Sequence, residues 1–130
     1  MVKVLANGVF DLLHYGHLLH LEQARSLGDY LIVSVTKDAF VGKGPGRPVY
    51  PELQRASLIS RLKCVDEVIL VSGLIEALEK SKPDVVVKGC DYTELESDHA
   101  EYCLSHGIRV AFTDTPKLSS TDLINEARSR

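Results

Sequence analysis

The chain has 130 residues, of which 45% are hydrophobic and 25% are charged, and its net charge is −3. This composition is typical of a single globular domain, and it lacks the basic excess that usually marks a nucleic-acid-binding protein. No apolar run reaches the ~20 residues of a membrane helix, and residues 2–6 are too short for a signal segment. The three cysteines form no CxxC motif, so we expect one cytoplasmic domain over residues 1–130 with reduced thiols.

The first part of the sequence combines an apolar strand with a turn rich in glycine and histidine. Residues 2–6 are predicted as a strand, and apolar residues at helical spacing predict a helix that ends at Gly28. The segment between strand and helix reads NGVFDLLHYGHLLH, residues 7–20. Unpaired N–H groups at a helix start favour anions, and His14 and His17 are spaced to share one face of the first turn. Gly8 and Gly16 would let the backbone approach a ligand closely. Together these features predict a phosphate site.

Other interpretations of the histidines remain open at this point. His14 and His17 could be ordinary surface residues at a helix start. With Asp11 they could instead ligate a transition metal, because a spacing of three suits two ligands on one helix face. His20 is predicted to lie on the helix surface without a chemical role.

The next segment is predicted as a strand, a loop and a helix. Residues 31–35 form a β-branched apolar run typical of a buried strand. Residues 41–48 hold three glycines and two prolines, which indicates a loop. Its cations, Lys43 and Arg47, could close over a nucleotide or lie on a solvated linker. Residues 51–62 are predicted as a helix that carries Arg55, whose planar fork suits a polyphosphate. Its predicted apolar stripe consists of Leu53, Ala56, Leu58, Ile59 and Leu62.

The rest of the chain continues the alternation of strands and helices. Strands are predicted over residues 65–71, 84–87 and 108–112, and helices over residues 74–81, 94–105 and 122–128. Five such strands predict a Rossmann-like α/β domain, a parallel sheet with helices on both faces. In such sheets ligands bind beyond the carboxyl ends of the strands, where the strand order switches. The histidine segment, residues 88–91 and the hydroxyl run 119–121 should therefore meet at one edge. Ser119, Ser120 and Thr121 precede the last predicted helix, where they would cap it or bind phosphate.

Residues 8–17 resemble the signature of the cytidylyltransferase-like nucleotidyltransferases, whose HxGH box binds the triphosphate of a nucleotide. Residues 118–121, Leu-Ser-Ser-Thr, resemble the second box of that family, commonly Ile-Ser-Thr-Thr, which contacts the triphosphate. Lys117 stands where one subgroup has glycine. Lys88-Gly89-x-Asp91-Tyr92, with the stretches before it, is most similar to the adenylyltransferase domain of bacterial ADP-heptose synthases.

The resemblance implies transfer of a nucleotidyl group from ATP to a sugar phosphate such as heptose 1-phosphate, with release of pyrophosphate. It implies His14, His17 and Lys43 as catalytic residues and Mg²⁺ as a cofactor bridged by the nucleotide phosphates rather than held by protein ligands. It also suggests a homodimer. The implied nucleotide-binding residues, besides the two histidines, are Asn7, Gly8, Val9, Phe10, Gly89, Asp91, Ser119, Ser120 and Thr121. The implied substrate-binding residues are Asp11, Lys43, Arg47, Arg55 and Lys88.

Three alternatives keep the same pocket. The enzyme could use CTP with glycerol 3-phosphate or a related alcohol phosphate, or it could transfer an adenylyl group to FMN. The domain could also be a non-catalytic module that only binds a nucleotide. No nucleic acid or membrane partner is expected under any of them.

Overall fold

The structure is a computed structural model that describes residues 1–42, 48–89 and 97–113. Its strands are β1 (Lys3–Gly8), β2 (Tyr30–Thr36), β3 (Glu67–Val71), β4 (Val85–Lys88) and β5 (Arg109–Phe112). Its helices are α1 (Tyr15–Ser26), α2 (Glu52–Ser60), α3 (Leu74–Ser81) and α4 (Ser97–Ser105), with a short 3-10 turn at Asp38–Phe40. All strands pair in parallel in the order β3-β2-β1-β4-β5. The predicted α/β fold with a five-stranded parallel sheet is confirmed.

The sheet is buried on both faces because successive side chains of a strand point in opposite directions. Val4 and Ala6 of β1 pack on one side, with Leu21 of α1 and Ile59 of α2. Leu5 packs on the other side, in a cluster that also holds Leu74, Ala77 and Leu78 of α3 and Cys103 of α4. The near-continuous apolar runs of β1, β2 and β4 follow from this double burial.

The order of the strands switches between β1 and β4. The chain leaves β1 to build β2 and β3 on one side, then crosses back to build β4 and β5 on the other. Connections that depart to opposite sides leave a crevice above the carboxyl ends of the two central strands. The segment after β1, which holds both histidines, and the segment after β4, which holds Gly89, both begin at this crevice.

The second helix differs from its prediction in the face that it buries. Arg55 and Ile59 are its buried residues, whereas Leu53 and Leu58 are 72% and 40% exposed. The prediction of an apolar stripe through Leu53 and Leu58 is therefore wrong. The buried face of the helix instead runs through Arg55 and Ile59, so an arginine takes the place expected for an apolar residue.

Predictions about helix ends and about the cysteines can be compared with the structure in the described part of the chain. The predicted helix at residues 74–81 coincides with α3, and Gly107, with a φ of 68°, follows the end of α4 as expected. Cys64 and Cys103 are free thiols, and burial raises the pKa of each. Cys90 and the predicted helix at residues 122–128 lie outside the described residues. No helix in the described part of the chain has the length and apolar content to cross a membrane.

Candidate active site

The turn between β1 and α1 is built around an aromatic ring in a strained backbone position. Phe10 has a φ of 51°, in the left-handed region that residues other than glycine rarely adopt. Its side chain is buried, and a Cβ added to Gly8 would stand 2.9 Å from the ring atom Cε2. Gly8 is therefore needed to make room for Phe10. The sequence interpretation, that its missing Cβ lets a ligand approach the backbone, stays a prediction.

The two histidines cap the start of α1 reciprocally. The Nδ1 atom of His14, the N-cap residue, accepts a hydrogen bond from the N–H of Gly16 at 3.1 Å. The Nδ1 atom of His17 accepts one from the N–H of His14 at 3.2 Å. This is a capping box made with imidazoles in place of the usual serine and glutamate.

The same hydrogen bonds set the protonation state of both rings. An Nδ1 atom that accepts a hydrogen bond carries no proton, so each ring is neutral and bears its proton on Nε2. The rings of His14 and His17 stack with centroids 3.9 Å apart, an arrangement that two imidazolium cations would oppose. Burial also lowers the pKa of His14, because the charged form loses hydration. The site thus presents two stacked, neutral Nε2–H donors.

Phe10 supports the histidine pair from one side. Its ring meets the ring of His17 edge to face, with centroids 5.4 Å apart. The strained turn therefore places an apolar surface against His17, which fixes the ring plane and excludes water from that side.

Asp11 connects the histidine turn to the chain that precedes α2. Its two carboxylate oxygens accept the N–H groups of Val49 and Tyr50 at 2.8 and 2.9 Å, and the residue is 5% exposed. It was predicted to bind substrate. These contacts hold the backbone before α2, and the prediction that Asp11 binds substrate stays a prediction. Across residues 1–42, 48–89 and 97–113, no three His, Cys, Asp or Glu side chains form a group that could hold a metal ion.

Arg55 is the largest correction to the predicted site. Its side chain is fully buried, and its guanidinium donates to the carbonyl oxygen of Tyr50 at 2.9 Å and to that of Val9 at 2.7 Å. Its Nη2 atom pairs with Asp38 Oδ1 at 2.6 Å. A buried guanidinium with these partners does not present its donors to a substrate phosphate. The prediction of Arg55 as a substrate ligand is wrong for this structure, and its geometric role is to fix the carbonyl of Val9 at the end of β1.

The same network anchors the chain on both sides of residues 43–47. Before that segment, Asp38 is held by Arg55 and by Glu52, whose Oε1 accepts the N–H of Asp38 at 2.9 Å. After it, Val49 and Tyr50 are held by Asp11. Lys43 and Arg47 themselves lie outside the described residues, so their predicted contacts stay predictions. Their two flanks are nevertheless fastened to the turn that carries the histidines.

Asn7 is oriented by a buried hydroxyl on the neighbouring strand. Ser34, which is fully buried and pairs with Asn7 in the sheet register, donates its hydroxyl proton to Asn7 Oδ1 at 2.7 Å. The amide oxygen is thereby engaged, and the amide NH₂ points away from Ser34. Sequence reasoning missed Ser34, although a serine inside the run Leu31–Val35 is a signal, because a buried strand hydroxyl needs a partner.

The end of β4 is linked to α1 by Thr113, the residue that follows β5. The carbonyl of Lys88 accepts the N–H of Thr113 at 2.8 Å, and His20 Nδ1 lies 2.8 Å from Thr113 Oγ1. His20, which was predicted to lie on the helix surface without a chemical role, is half-buried and has Thr113 as a hydrogen-bond partner. Lys88 and Gly89 lie at the switch point as expected, whereas Asp91, Lys117, Ser119, Ser120 and Thr121 fall outside the described residues.

Comparison with known proteins identifies the family of this chain. The cytidylyltransferase-like family model matches residues 5–126. The bifunctional protein HldE of Syntrophotalea carbinolica is 39% identical over 127 residues, 95% of this chain but only 26% of that protein. The FAD synthase of Aciduliprofundum boonei is 38% identical over 125 residues, 95% of this chain and 84% of that protein.

A solved structure gives the same result for the fold. The lipopolysaccharide core biosynthesis protein from Thermoplasma volcanium has a TM-score of 0.77 and 33% identity, covering 90% of this chain and 99% of that one. Family model, relatives and solved structure thus agree on the fold and on the family of this chain. This chain belongs to the cytidylyltransferase-like family of nucleotidyltransferases.

Proposed function

We propose that this domain transfers the adenylyl group of ATP to a phosphate monoester, with heptose 1-phosphate as the first candidate, and releases pyrophosphate. The observation that carries the proposal is the capping pair His14 and His17, which holds two neutral Nε2–H donors at the start of α1. A helix start and two neighbouring imidazole donors favour a bound polyphosphate. The resemblance of residues 88–92 to ADP-heptose synthases supports ATP and the heptose acceptor.

The reaction is an in-line displacement at the α-phosphorus. An acceptor phosphate oxygen forms a bond to the α-phosphorus, and the bond from that phosphorus to the oxygen bridging to the β-phosphate breaks. The leaving group is pyrophosphate. Because the acceptor oxygen is already ionised near neutral pH, no general base is required, and the protein acts by positioning and by stabilising charge.

The two imidazoles suit this task because they donate without carrying a charge of their own. His17 is the better candidate for the oxygens of the α-phosphate, and His14 donates beside it. Asn7, whose amide orientation Ser34 fixes, and the backbone of residues 8–10 would contact the nucleotide. Gly89 and Asp91 would lie near the base or ribose, and Ser119, Ser120 and Thr121 would bind the β- and γ-oxygens. Lys43, Arg47 and Lys88 would bind the phosphates of either substrate.

Mg²⁺ is proposed as the cofactor, with the phosphates as its main ligands. When bound, such a cation would neutralise part of the charge on the triphosphate.

FMN is the second candidate acceptor, and one observation favours it. The chain covers 84% of the FAD synthase that it resembles but only 26% of the bifunctional HldE protein, at nearly equal identity. FMN and heptose 1-phosphate are both phosphate monoesters, so the same donors and the same displacement serve either one. The two candidates differ only in what surrounds the acceptor phosphate.

A pyrophosphate-release panel tests the proposal. ATP and CTP are each combined with heptose 1-phosphate, FMN and glycerol 3-phosphate, with a His14→Ala/His17→Ala double variant as the matched control. We expect release with ATP and one of the first two acceptors, and its loss in the control. Release with CTP and glycerol 3-phosphate would replace ATP by CTP. ATP binding without release from any pair would reduce the domain to a nucleotide-binding module.

A further inference from the structure

We infer that His20 is a positioning residue that, through Thr113, sets the width of the crevice between the phosphate-binding start of α1 and the end of β4. The inference rests on the proposed function, because it assumes that one nucleotide spans these two places. His20 belongs to none of the predicted sets of site residues.

The hydrogen-bond ladder between β1 and β4 does not extend as far as the crevice. The register between β1 and β4 runs from Val4–Val85 to Ala6–Val87 and stops there, within the described residues. Asn7 and Gly8 of β1 and Lys88 of β4 lie beyond that point. The ends of the two central strands, which carry the site, are therefore not joined to each other by the ladder of the sheet.

A side-chain bridge crosses where the ladder stops. His20 lies one turn along α1 from His17, so both project from neighbouring positions of the helix. Its Nδ1 atom is 2.8 Å from the hydroxyl of Thr113, a residue that is 2% exposed. The N–H of Thr113 donates to the carbonyl of Lys88 at 2.8 Å, and its hydroxyl lies 3.4 Å from the same oxygen. The connection thus runs from α1 through His20 and Thr113 to the last residue of β4.

This bridge acts on both halves of the predicted nucleotide site. On one side is the helix whose first turn holds His14 and His17, and on the other is the Lys88–Gly89 end. The Thr113 hydroxyl is buried, so the loss of His20 would leave this hydroxyl without one of its partners. It would also remove the side-chain hydrogen bond between α1 and the residue that follows β5. The expected consequence is weaker ATP binding, since the two halves would no longer be held at the spacing that one nucleotide requires.

The test uses pairs of variants at each end of the bridge. His20→Leu and Thr113→Val remove the hydrogen bond, whereas His20→Asn, whose amide mimics Nδ1, and Thr113→Ser retain it. His106→Leu is the matched control, because it removes an imidazole that lies at the end of α4, where its Nδ1 atom contacts Tyr102 and Ser105. The measurements are the ATP dissociation constant, the KM for ATP, kcat, and the exchange rate of the Thr113 amide proton.

We expect His20→Leu and Thr113→Val each to weaken ATP binding about three- to tenfold, the range that matches the net contribution of one hydrogen bond. KM for ATP should rise by the same factor, kcat should change less, and the Thr113 amide proton should exchange faster. The double variant should be no worse than Thr113→Val alone, because that change already removes the contact with His20, together with the longer one to the Lys88 carbonyl. The Asn and Ser variants should lie near the wild type.

Several results would overturn the inference. These are unchanged ATP affinity in both disruptive variants, additive losses in the double variant, or an equal loss in His106→Leu. If His20→Leu did not fold, Thr113→Val and the two conservative variants would still decide the question. A wild type that releases no pyrophosphate would refute the proposed function alone, because ATP affinity and amide exchange would still report on His20.

Discussion

Side-chain hydrogen bonds serve different purposes at the two ends of the sheet. At the amino end, Asp29, Asp66 and Asp84 each accept the N–H of a residue at or next to the start of a strand, at 2.8 Å. At the carboxyl end, side chains orient other functional groups: Ser34 turns Asn7, Arg55 holds the carbonyl of Val9, and the two histidines cap each other. Side chains at the amino end hold the starts of the strands in place, whereas side chains at the carboxyl end orient the groups of the candidate site.

This difference predicts which changes affect activity and which affect only stability. A change at the amino end should lower the free energy of unfolding and leave kcat nearly unchanged. A change at the carboxyl end should be separable into a structural part and a chemical part, because the same side chains serve both. The following predictions test that separation, and Asp84→Asn serves throughout as the amino-end control.

The largest effect is expected at His17, where two substitutions separate the cap from the donor. His17→Asn keeps an acceptor at the place of Nδ1 but loses Nε2, and we expect turnover to fall about 100- to 1000-fold with the fold intact. His17→Gln can place a donor near Nε2, so it should be more active than His17→Asn, and because Gln at N3 also suits a capping box the two variants should be similarly stable. Steady-state pyrophosphate release and urea unfolding measure the two parts. Equal activity of the Asn variant and the wild type would remove His17 from the mechanism.

Arg55 should have the largest effect on stability. Arg55→Met removes three buried interactions and leaves the carbonyls of Val9 and Tyr50 without this donor, which should cost about 2–4 kcal/mol in the free energy of unfolding. Arg61→Met, at the exposed C-cap position just after the same helix, should change it by about 0.5 kcal/mol or less. Urea unfolding compares the two variants. Equal effects would show that Arg55 does not hold the turn.

A pair of glycines provides a smaller and sharper test of packing. Gly8→Ala would place a Cβ 2.9 Å from the ring of Phe10, and we expect a loss of about 1–3 kcal/mol in unfolding free energy. Gly73→Ala meets no atom within 4 Å and has extended backbone, so its loss should stay within about 1 kcal/mol. Thermal unfolding of both variants is the measurement. A Gly8→Ala variant as stable as Gly73→Ala would contradict the placement of Phe10.

The smallest effect concerns pH. Burial lowers the pKa of His14 in the folded state, so the unfolded chain binds a proton first as the pH falls. The stability associated with neutral His14 is complete above the unfolded pKa of about 6.5 and is lost as the pH falls through the folded pKa. His14→Asn keeps an N-cap without a titrating ring, so its free energy of unfolding relative to the wild type should improve from pH 7.5 to pH 5. A difference that does not change with pH would contradict neutral capping by His14.

Much of the fold followed from the sequence because its strands are apolar runs separated by clear turn residues. The parallel sheet and the helices on both faces could be predicted from alternation alone, whereas the strand order, which puts the switch point between β1 and β4, was not predicted. The helix at residues 74–81 was predicted at its observed ends, since the proline at position 83 disfavours a helix that continues up to it. Boundaries that depend on single hydrogen bonds were less accurate, as the shorter α2 shows.

The site was predictable in its chemistry but not in its internal contacts. The HxGH spacing placed both histidines at a helix start, yet nothing in the sequence indicates that they cap each other. Arg55 was assigned to a substrate because its planar fork suits a polyphosphate, and the pattern cannot show that its actual partners are Val9, Tyr50 and Asp38. Ser34 and His20 were missed for the same reason, since each acts on a partner distant in sequence, at positions 7 and 113.

The central claim is that His14 and His17 bind the triphosphate through their Nε2–H groups. A crystal structure with Mg²⁺ and an ATP analogue whose α–β bridging oxygen is replaced by a methylene group tests it most directly, because that analogue cannot lose pyrophosphate. The account predicts phosphate oxygens within hydrogen-bond distance of both Nε2 atoms while both Nδ1 atoms keep their backbone partners. A triphosphate bound elsewhere, or rings turned so that Nδ1 faces the nucleotide, would contradict it.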